Sequence, residues 1–184
     1  VIRGEAEVAL RSERTGAEYQ DVLRTVQEET ERMSRIIEQL LLLARADSGE
    51  LRLERRPVAL DDVVRDVAHR MEVLARARSI RLRTDALEPM LLLGDEDQLA
   101  HLTLNLIDNA IKYTPEGGEV RVSLRHEERG MRNEIKGDAA VLEVTDTGIG
   151  IGAADLPRIF DRFYRVDKAR SRAQGGSGLG LAIC

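Results

Sequence analysis

A long, unbroken run of helical periodicity near the start of this chain limits what it can fold into. Between residues 18 and 46, Val22, Val26, Met33, Ile36, Leu40 and Leu43 recur on alternating four- and three-residue steps, with Glu29 as the one polar member of the row. Such a row is the seam of a coiled coil or helix bundle. Leu23, Ile37 and Ala44 form a second stripe beside it, and a helix with two apolar stripes needs two neighbours. Residues 1–11 offer one, because Ile2, Ala6 and Ala9 fall at helical spacing before Arg14-Thr15-Gly16 breaks the pattern. A second copy of the chain is expected to supply the other, making a four-helix bundle. A helix packed only on its own domain is the simpler alternative, but few apolar elements remain to cover it.

Asp47-Ser48-Gly49 closes the helix, with Gly49 suited to a left-handed cap. Strands and helices then alternate. Leu51 and Leu53 alternate with charge as an edge strand that Pro57 closes. Residues 61–78 place Val63, Val67, Met71 and Leu74 on one helix face, behind Asp61 and Asp62 in the first turn. Ile80, Leu82 and Thr84 read as a strand, and residues 90–93 as a short buried one. Asp95 and Gln98 open a helix running to Tyr113. Val120, Val122 and Leu124 alternate, as do Leu142, Val144 and Asp146, with 126–138 between them as an extended hairpin loop.

The expected fold class is α+β: a helical hairpin, half of a dimeric four-helix bundle, over residues 1–48, then an α/β sandwich of a mixed sheet with helices on one face over residues 49–184. Composition permits this. Hydrophobic residues make up 42% and charged residues 33%, which suits a folded chain, although without Trp the core must come from Leu, Val, Ile and Ala. The net charge of −5 gives no global attraction to nucleic acid, so an anionic ligand needs a local cluster of donors. The single Cys184 excludes an intrachain disulfide and fits a reducing compartment. No run is long enough to span a bilayer. Both ends fall inside helical patterns and are expected to be interruptions of a longer protein.

Three segments carry chemistry. On the helix from Asp95 to Tyr113, Leu99, Leu102, Leu106 and Ala110 are expected on one side, and His101, Asn105, Asn109 and Lys112 on the other. Asn is a mediocre helix former, so two on one stripe need a reason. Carboxamides can ligate Mg²⁺ or orient its waters, and a lysine one turn away can meet a phosphate. A merely solvated face is the plain alternative. Next, Asp146 shares parity with Leu142 and Val144, so a carboxylate ends a row expected to point into the core, where it needs a donor such as an adenine amino group. Gly148 and Gly150 follow, letting backbone approach a ligand closely. Finally, Gly176, Gly178 and Gly180 alternate into an apolar run, as suits phosphate oxygens at a helix start. No Gly-Lys-Ser/Thr follows, which excludes a Walker loop, and no strand precedes, which argues against a dinucleotide-binding turn.

Taken in order, Asn105 to Pro115, Asp146 to Ile151, Ile159 to Arg165 and Gly176 to Leu181 resemble the four nucleotide-binding motifs of bacterial sensor histidine kinases. The segment before Asp47 resembles the end of the first helix and all of the second helix of their dimerisation and phosphotransfer hairpin. The resemblance implies ATP and Mg²⁺ as cofactors. Asn109, supported by Asn105, would hold the metal, and Lys112 would contact the phosphates. Tyr113 would lie beside the adenine and Asp146 would read its amino group, with Gly148, Gly150 and Ile151 closing over the base. Phe160 and Phe163 would anchor a mobile lid over 156–180, while Gly176, Gly178, Leu179 and Gly180 would wrap the phosphates. Arg162 or Arg165 would place positive charge near the γ-phosphate.

The implied reaction is transfer of the ATP γ-phosphoryl to a histidine, then to an aspartate of a response-regulator receiver domain. The implied setting is a homodimer forming the cytoplasmic portion of an inner-membrane sensor. The acceptor motif, a His-Glu pair followed by Arg-Thr-Pro, is absent and is expected upstream of Val1; His69, His101 and His126 lie in other contexts. The family's closing helix and strands are missing as well. Related ATPases place a glutamate base where Asn105 stands, so hydrolysis by that route is disfavoured. A dimerising scaffold that binds ATP without using it is the remaining alternative.

Overall fold

The computed structural model describes residues 2–10, 15–128, 138–166 and 177–184. Helix α1 (Ile2–Leu10) packs against the 32-residue α2 (Gly16–Asp47), forming the hairpin. The boundary between them has a local cause. Thr15 accepts a hydrogen bond from the Glu18 amide, and the Glu18 carboxylate accepts from the Thr15 amide at 2.7 Å, a reciprocal capping box. At the other end Gly49 takes φ +69°, as its place after the helix requires, and the Glu50 and Leu51 amides donate back to the Arg45 carbonyl.

The remaining elements are β1 (Arg56–Ala59), α3 (Leu60–Ala77), β2 (Arg81–Leu87), β3 (Leu91–Gly94), α4 (Glu96–Tyr113), β4 (Glu119–Glu128), β5 (Asp138–Asp146), a 3₁₀ turn at Leu156–Arg158 and α5 (Gly180–Ile183). Strands β2, β4 and β5 form a mixed sheet, with β2 parallel and β5 antiparallel to the central β4. Strands β1 and β3 pair antiparallel as a separate two-stranded ribbon. Helices α3 and α4 pack together on the sheet. Val64, Val67 and Met71 of α3, Ile107 and Ile111 of α4, and Val120, Val122 and Leu124 of β4 make one core.

Several local expectations differ from this arrangement. Leu51 and Leu53 precede the strand rather than form it, and Pro57 lies within β1 opposite Leu93, which a strand with only one partner tolerates. Strand β3 is not buried: Met90 is, but Leu91 and Leu93 are 75% and 72% exposed, because only alternate residues of the ribbon face inward. The core face of α4 is Thr103, Ile107, Ala110 and Ile111 rather than the row of Leu99, Leu102 and Leu106, which are half-buried. Thr103 can be buried there because its hydroxyl donates to the Leu99 carbonyl at 2.8 Å. Strands β4 and β5 run on to pair Glu128 with Asp138, and 129–137, within the expected loop, lie outside the described residues. So does 167–176 of the expected lid, including Gly176.

Candidate functional site

Helix α4 is capped by Asp95, whose carboxylate accepts from the Gln98 amide at 3.2 Å and the Glu54 amide at 3.0 Å. These backbone donors, Glu54's first, hold the Asp95 carboxyl below its ordinary value. With one face of α4 committed to the core, the opposite face is left for Asn105, Asp108, Asn109 and Lys112, which line a cleft of about 590 Å³. That is an ordinary volume for a small-molecule site. The Lys112 ammonium is paired with Asp108 one turn earlier. Tyr113, at the end of the helix, also lines the cleft.

The second wall is the loop after β5. Asp146 is the last residue of that strand, opposite Val120. It is exposed and lines the cleft, not the core, because its row of core-facing side chains ends at Val144. One carboxylate oxygen accepts the Gly148 amide at 2.8 Å. The Ile149 amide then donates to the Tyr113 carbonyl at 3.2 Å, tying this loop to the end of α4. Gly150 adopts φ +68°, and Gly150 and Ile151 border the opening.

The far wall is built from Ile159, Phe160, Tyr164 and Arg165, with Ser177, Gly178 and Gly180 beyond them. Tyr164 donates its hydroxyl to Asp155 at 2.6 Å while the Arg158 guanidinium lies 4.2 Å from its ring centre. The Asp155 carboxylate at that hydroxyl raises the Tyr164 pKa, since ionisation would set two anions together. Phe163 holds φ +61°, rare for a bulky residue, and its amide donates to the Gly178 carbonyl at 2.9 Å. Gly178 itself has φ +73°, and a β-carbon there would lie 3.0 Å from the Phe163 backbone. Arg165 reaches the cleft with Nε and Nη2 buried and without a hydrogen-bond partner among the described residues. Buried guanidinium nitrogens without a partner are costly, and an anionic ligand in the cleft is one group that would relieve them.

The fold thus brings Asn105, Asn109, Lys112, Tyr113 and Asp146 around one cavity, joined by Gly150, Ile151, Phe160, Arg165, Gly178 and Gly180. It does not bring all the expected residues there. Gly148 sits behind the wall, against Tyr113. Leu179 is fully buried beneath it. Phe163 and Arg162 lie outside, and Arg162 is turned to Asp47, with both Nη atoms 2.6 Å from its carboxylate. Gln39, Asp108, Tyr164 and Ser177 line the cleft although the sequence did not single them out. The four-residue step from Asp108 to Lys112 was a readable signal; Gln39, on a polar helix face, carried none.

Residues 94–184 match the family model of histidine kinase-, DNA gyrase B- and HSP90-like ATPases, and residues 1–49 match that of the His Kinase A phospho-acceptor domain. The chain belongs to the sensor histidine kinase family. Among kinase relatives, it is 38% identical over 161 residues to the phosphate regulon sensor protein PhoR of Pseudomonas aeruginosa, covering 88% of this chain and 34% of PhoR. It is 43% identical over 155 residues to the sensor-like histidine kinase SenX3 of Mycolicibacterium smegmatis, covering 84% of this chain and 38% of SenX3. This kinase chain therefore spans about a third of the length of the curated relatives it matches. A solved structure of the mycobacterial sensor histidine kinase MprB superposes with a TM-score of 0.54 at 33% identity, over 70% of this chain and 74% of that one. Full-length ShkA, solved with AMPPNP, superposes with a TM-score of 0.71 at 26% identity, over 94% of this chain and 34% of that one. The ATPase family match implies that residues 94–184 bind ATP.

Proposed function

We propose that this chain is the catalytic core of an ATP-dependent protein histidine kinase that works as a homodimer. It would transfer the γ-phosphoryl of ATP to a histidine, and the phosphoryl would pass on to an aspartate of a response-regulator receiver domain. The observation that carries the proposal is the convergence on one cleft of an exposed carboxylate, Asp146, an amide stripe, Asn105 and Asn109, and a cation, Arg165, two of whose nitrogens have no hydrogen-bond partner among the described residues.

Each end of a nucleotide has a chemical counterpart in that cleft. Asp146 accepts the exocyclic amino group of adenine with the oxygen that Gly148 leaves free. Tyr113 lies beside the base, and Ile151 and Phe160 exclude water from it. At the far end Lys112 and Arg165 meet phosphate oxygens. Among the described residues no group of three His, Cys, Asp or Glu side chains is placed to hold a metal ion. The carboxamides of Asn105 and Asn109 instead suit a Mg²⁺ that arrives with the phosphates and keeps part of its water shell, supplying charge neutralisation when bound. The chain's own part is positioning. It holds the phosphoryl group while the bond to the ADP oxygen breaks and a bond to an imidazole nitrogen forms.

Dimerisation is supported by α2, where Leu23, Met33, Ile37 and Leu41 are exposed along most of its length. Among the described residues no helix is long and apolar enough to cross a membrane. We place this core on the cytoplasmic side of an inner-membrane sensor. The test is labelling with [γ-³²P]ATP. The chain alone is expected to stay unlabelled, and a separately supplied hairpin bearing the acceptor histidine is expected to gain acid-labile label. Failure to label that hairpin, with ATP bound normally, would leave only a nucleotide-binding scaffold.

A further inference from the structure

Two side chains of α2 reach across to the far wall of the cleft. Asp47 receives both Nη atoms of Arg162 at 2.6 Å, a bidentate pair between residues 115 apart in sequence. Gln39 accepts the Ser177 hydroxyl at 2.9 Å, across 138 residues, and lines the cleft itself. The two anchor points lie eight residues apart on α2, about 12 Å along its axis. They fasten the far wall on both of its sides: Arg162 is three residues before the cleft-facing Arg165, and Ser177 immediately precedes Gly178, which is bonded to the backbone of Phe163.

Asp47 is unexpected on local grounds. It is the last residue of α2, where a helix dipole disfavours a negative charge. In the hairpin alone it would weaken the helix end; with Arg162 the charge is compensated, and that hydrogen bond lowers the Asp47 pKa. The pairing also separates two neighbouring arginines by role. Arg162 is committed to α2, whereas Nε and Nη2 of Arg165 in the cleft wall have no hydrogen-bond partner among the described residues.

We propose that Asp47 and Gln39 are positioning residues of the nucleotide site, through which α2 holds the far wall in place for ATP. This rests on the nucleotide reading above. The hairpin is then part of the binding site and not only its support. Because coupling is reciprocal, nucleotide binding favours the orientation of α2 that keeps both contacts, and turning α2 changes nucleotide affinity. The scale is set by exposure. The Arg162 and Asp47 side chains are 46% and 56% exposed, so bidentate geometry is offset by screening, and each contact changes affinity by about three- to tenfold.

The experiment is calorimetric titration of the whole chain with Mg²⁺–AMPPNP. The variants are Asp47→Asn, Arg162→Gln, their combination, Gln39→Ala, and the exchange Asp47→Arg with Arg162→Asp, with folding checked by circular dichroism. Each single variant is expected to weaken binding about three- to tenfold, the combined variant no more than the weaker single one, and the exchanged pair to recover most of the loss. Unchanged affinity in the single variants, additive losses, or no recovery on exchange overturns the proposal while the nucleotide reading stands. If the unaltered chain does not bind nucleotide, both fall together.

Discussion

Gly148 sets its bare α-carbon against the carbonyl of Tyr113, so closely that a β-carbon there would lie 2.6 Å from that oxygen and 2.5 Å from Oδ1 of Asp146. The Tyr113 carbonyl is backbone and cannot yield, and moving the Asp146 carboxylate breaks its bond to the Gly148 amide. Gly148→Ala is therefore expected to push the loop after β5 away from α4, costing about 1–3 kcal/mol of stability. It should also lower ATP affinity at least tenfold. Thermal melting and calorimetry on the same preparation check both effects.

Ile107 is fully buried on the face of α4 opposite the amide stripe. Ile107→Ala should cost about 2–5 kcal/mol in denaturant unfolding, through lost burial and the cavity left behind. Asn105→Ala, on the other face of the helix, should leave the unfolding midpoint nearly unchanged and weaken nucleotide binding. A large stability loss from Asn105→Ala would mean that the stripe serves packing.

The two helices behind the site were largely legible in the sequence. The apolar periodicity of α3 and the Asp95–Gln98 pair that opens α4 are strong local signals that tertiary packing only reinforces. The buried face of α4 was less legible, since Leu102, Leu106, Ile107 and Ile111 spread apolar surface around much of its girth, and Thr103 is buried through a hydroxyl bond invisible to a hydropathy pattern. Pro57 and the exposed Leu91 and Leu93 misled for a related reason: the ribbon of β1 and β3 pairs outside the main sheet, which no local pattern announces. Asp146 kept its expected parity but not its expected burial, because a strand's last residue can share a face with core residues and still project past the core's edge. The links from α2 to Arg162 and Ser177 join residues more than a hundred positions apart, and single-residue chemistry gave only one hint of them, an acid at the wrong end of a helix.

Stability should fall in acid for a stated reason. Asp61 accepts the Met90 amide at 3.1 Å and Asp95 accepts the amides of Glu54 and Gln98, and these bonds hold both carboxyls below their ordinary value. A depressed folded-state pKa stabilises the native state above the unfolded value, and that contribution disappears as pH falls through the lower, folded one. The Asp61→Asn, Asp95→Asn double variant should thus be less stable near neutrality and show a flatter stability profile between about pH 5 and 2. A profile parallel to that of the unaltered chain would remove these groups as the cause.

Ile37 is 54% exposed on α2, on the second apolar stripe. Ile37→Glu is expected to convert a dimer into a monomer in sedimentation velocity, with the melting of the α/β portion preserved. An unaltered sedimentation coefficient would place the interface elsewhere.

In the proposed function, the cleft between α4 and the loop after β5 recognises adenine through the Asp146 carboxylate. That recognition is tested most directly by titrating the unaltered chain and Asp146→Asn with Mg²⁺–ATP in a calorimeter. At least a tenfold loss of affinity is expected in the variant, since the amide can present an N–H donor to the base amino group where the carboxylate only accepts. Equal dissociation constants for the two proteins would contradict it.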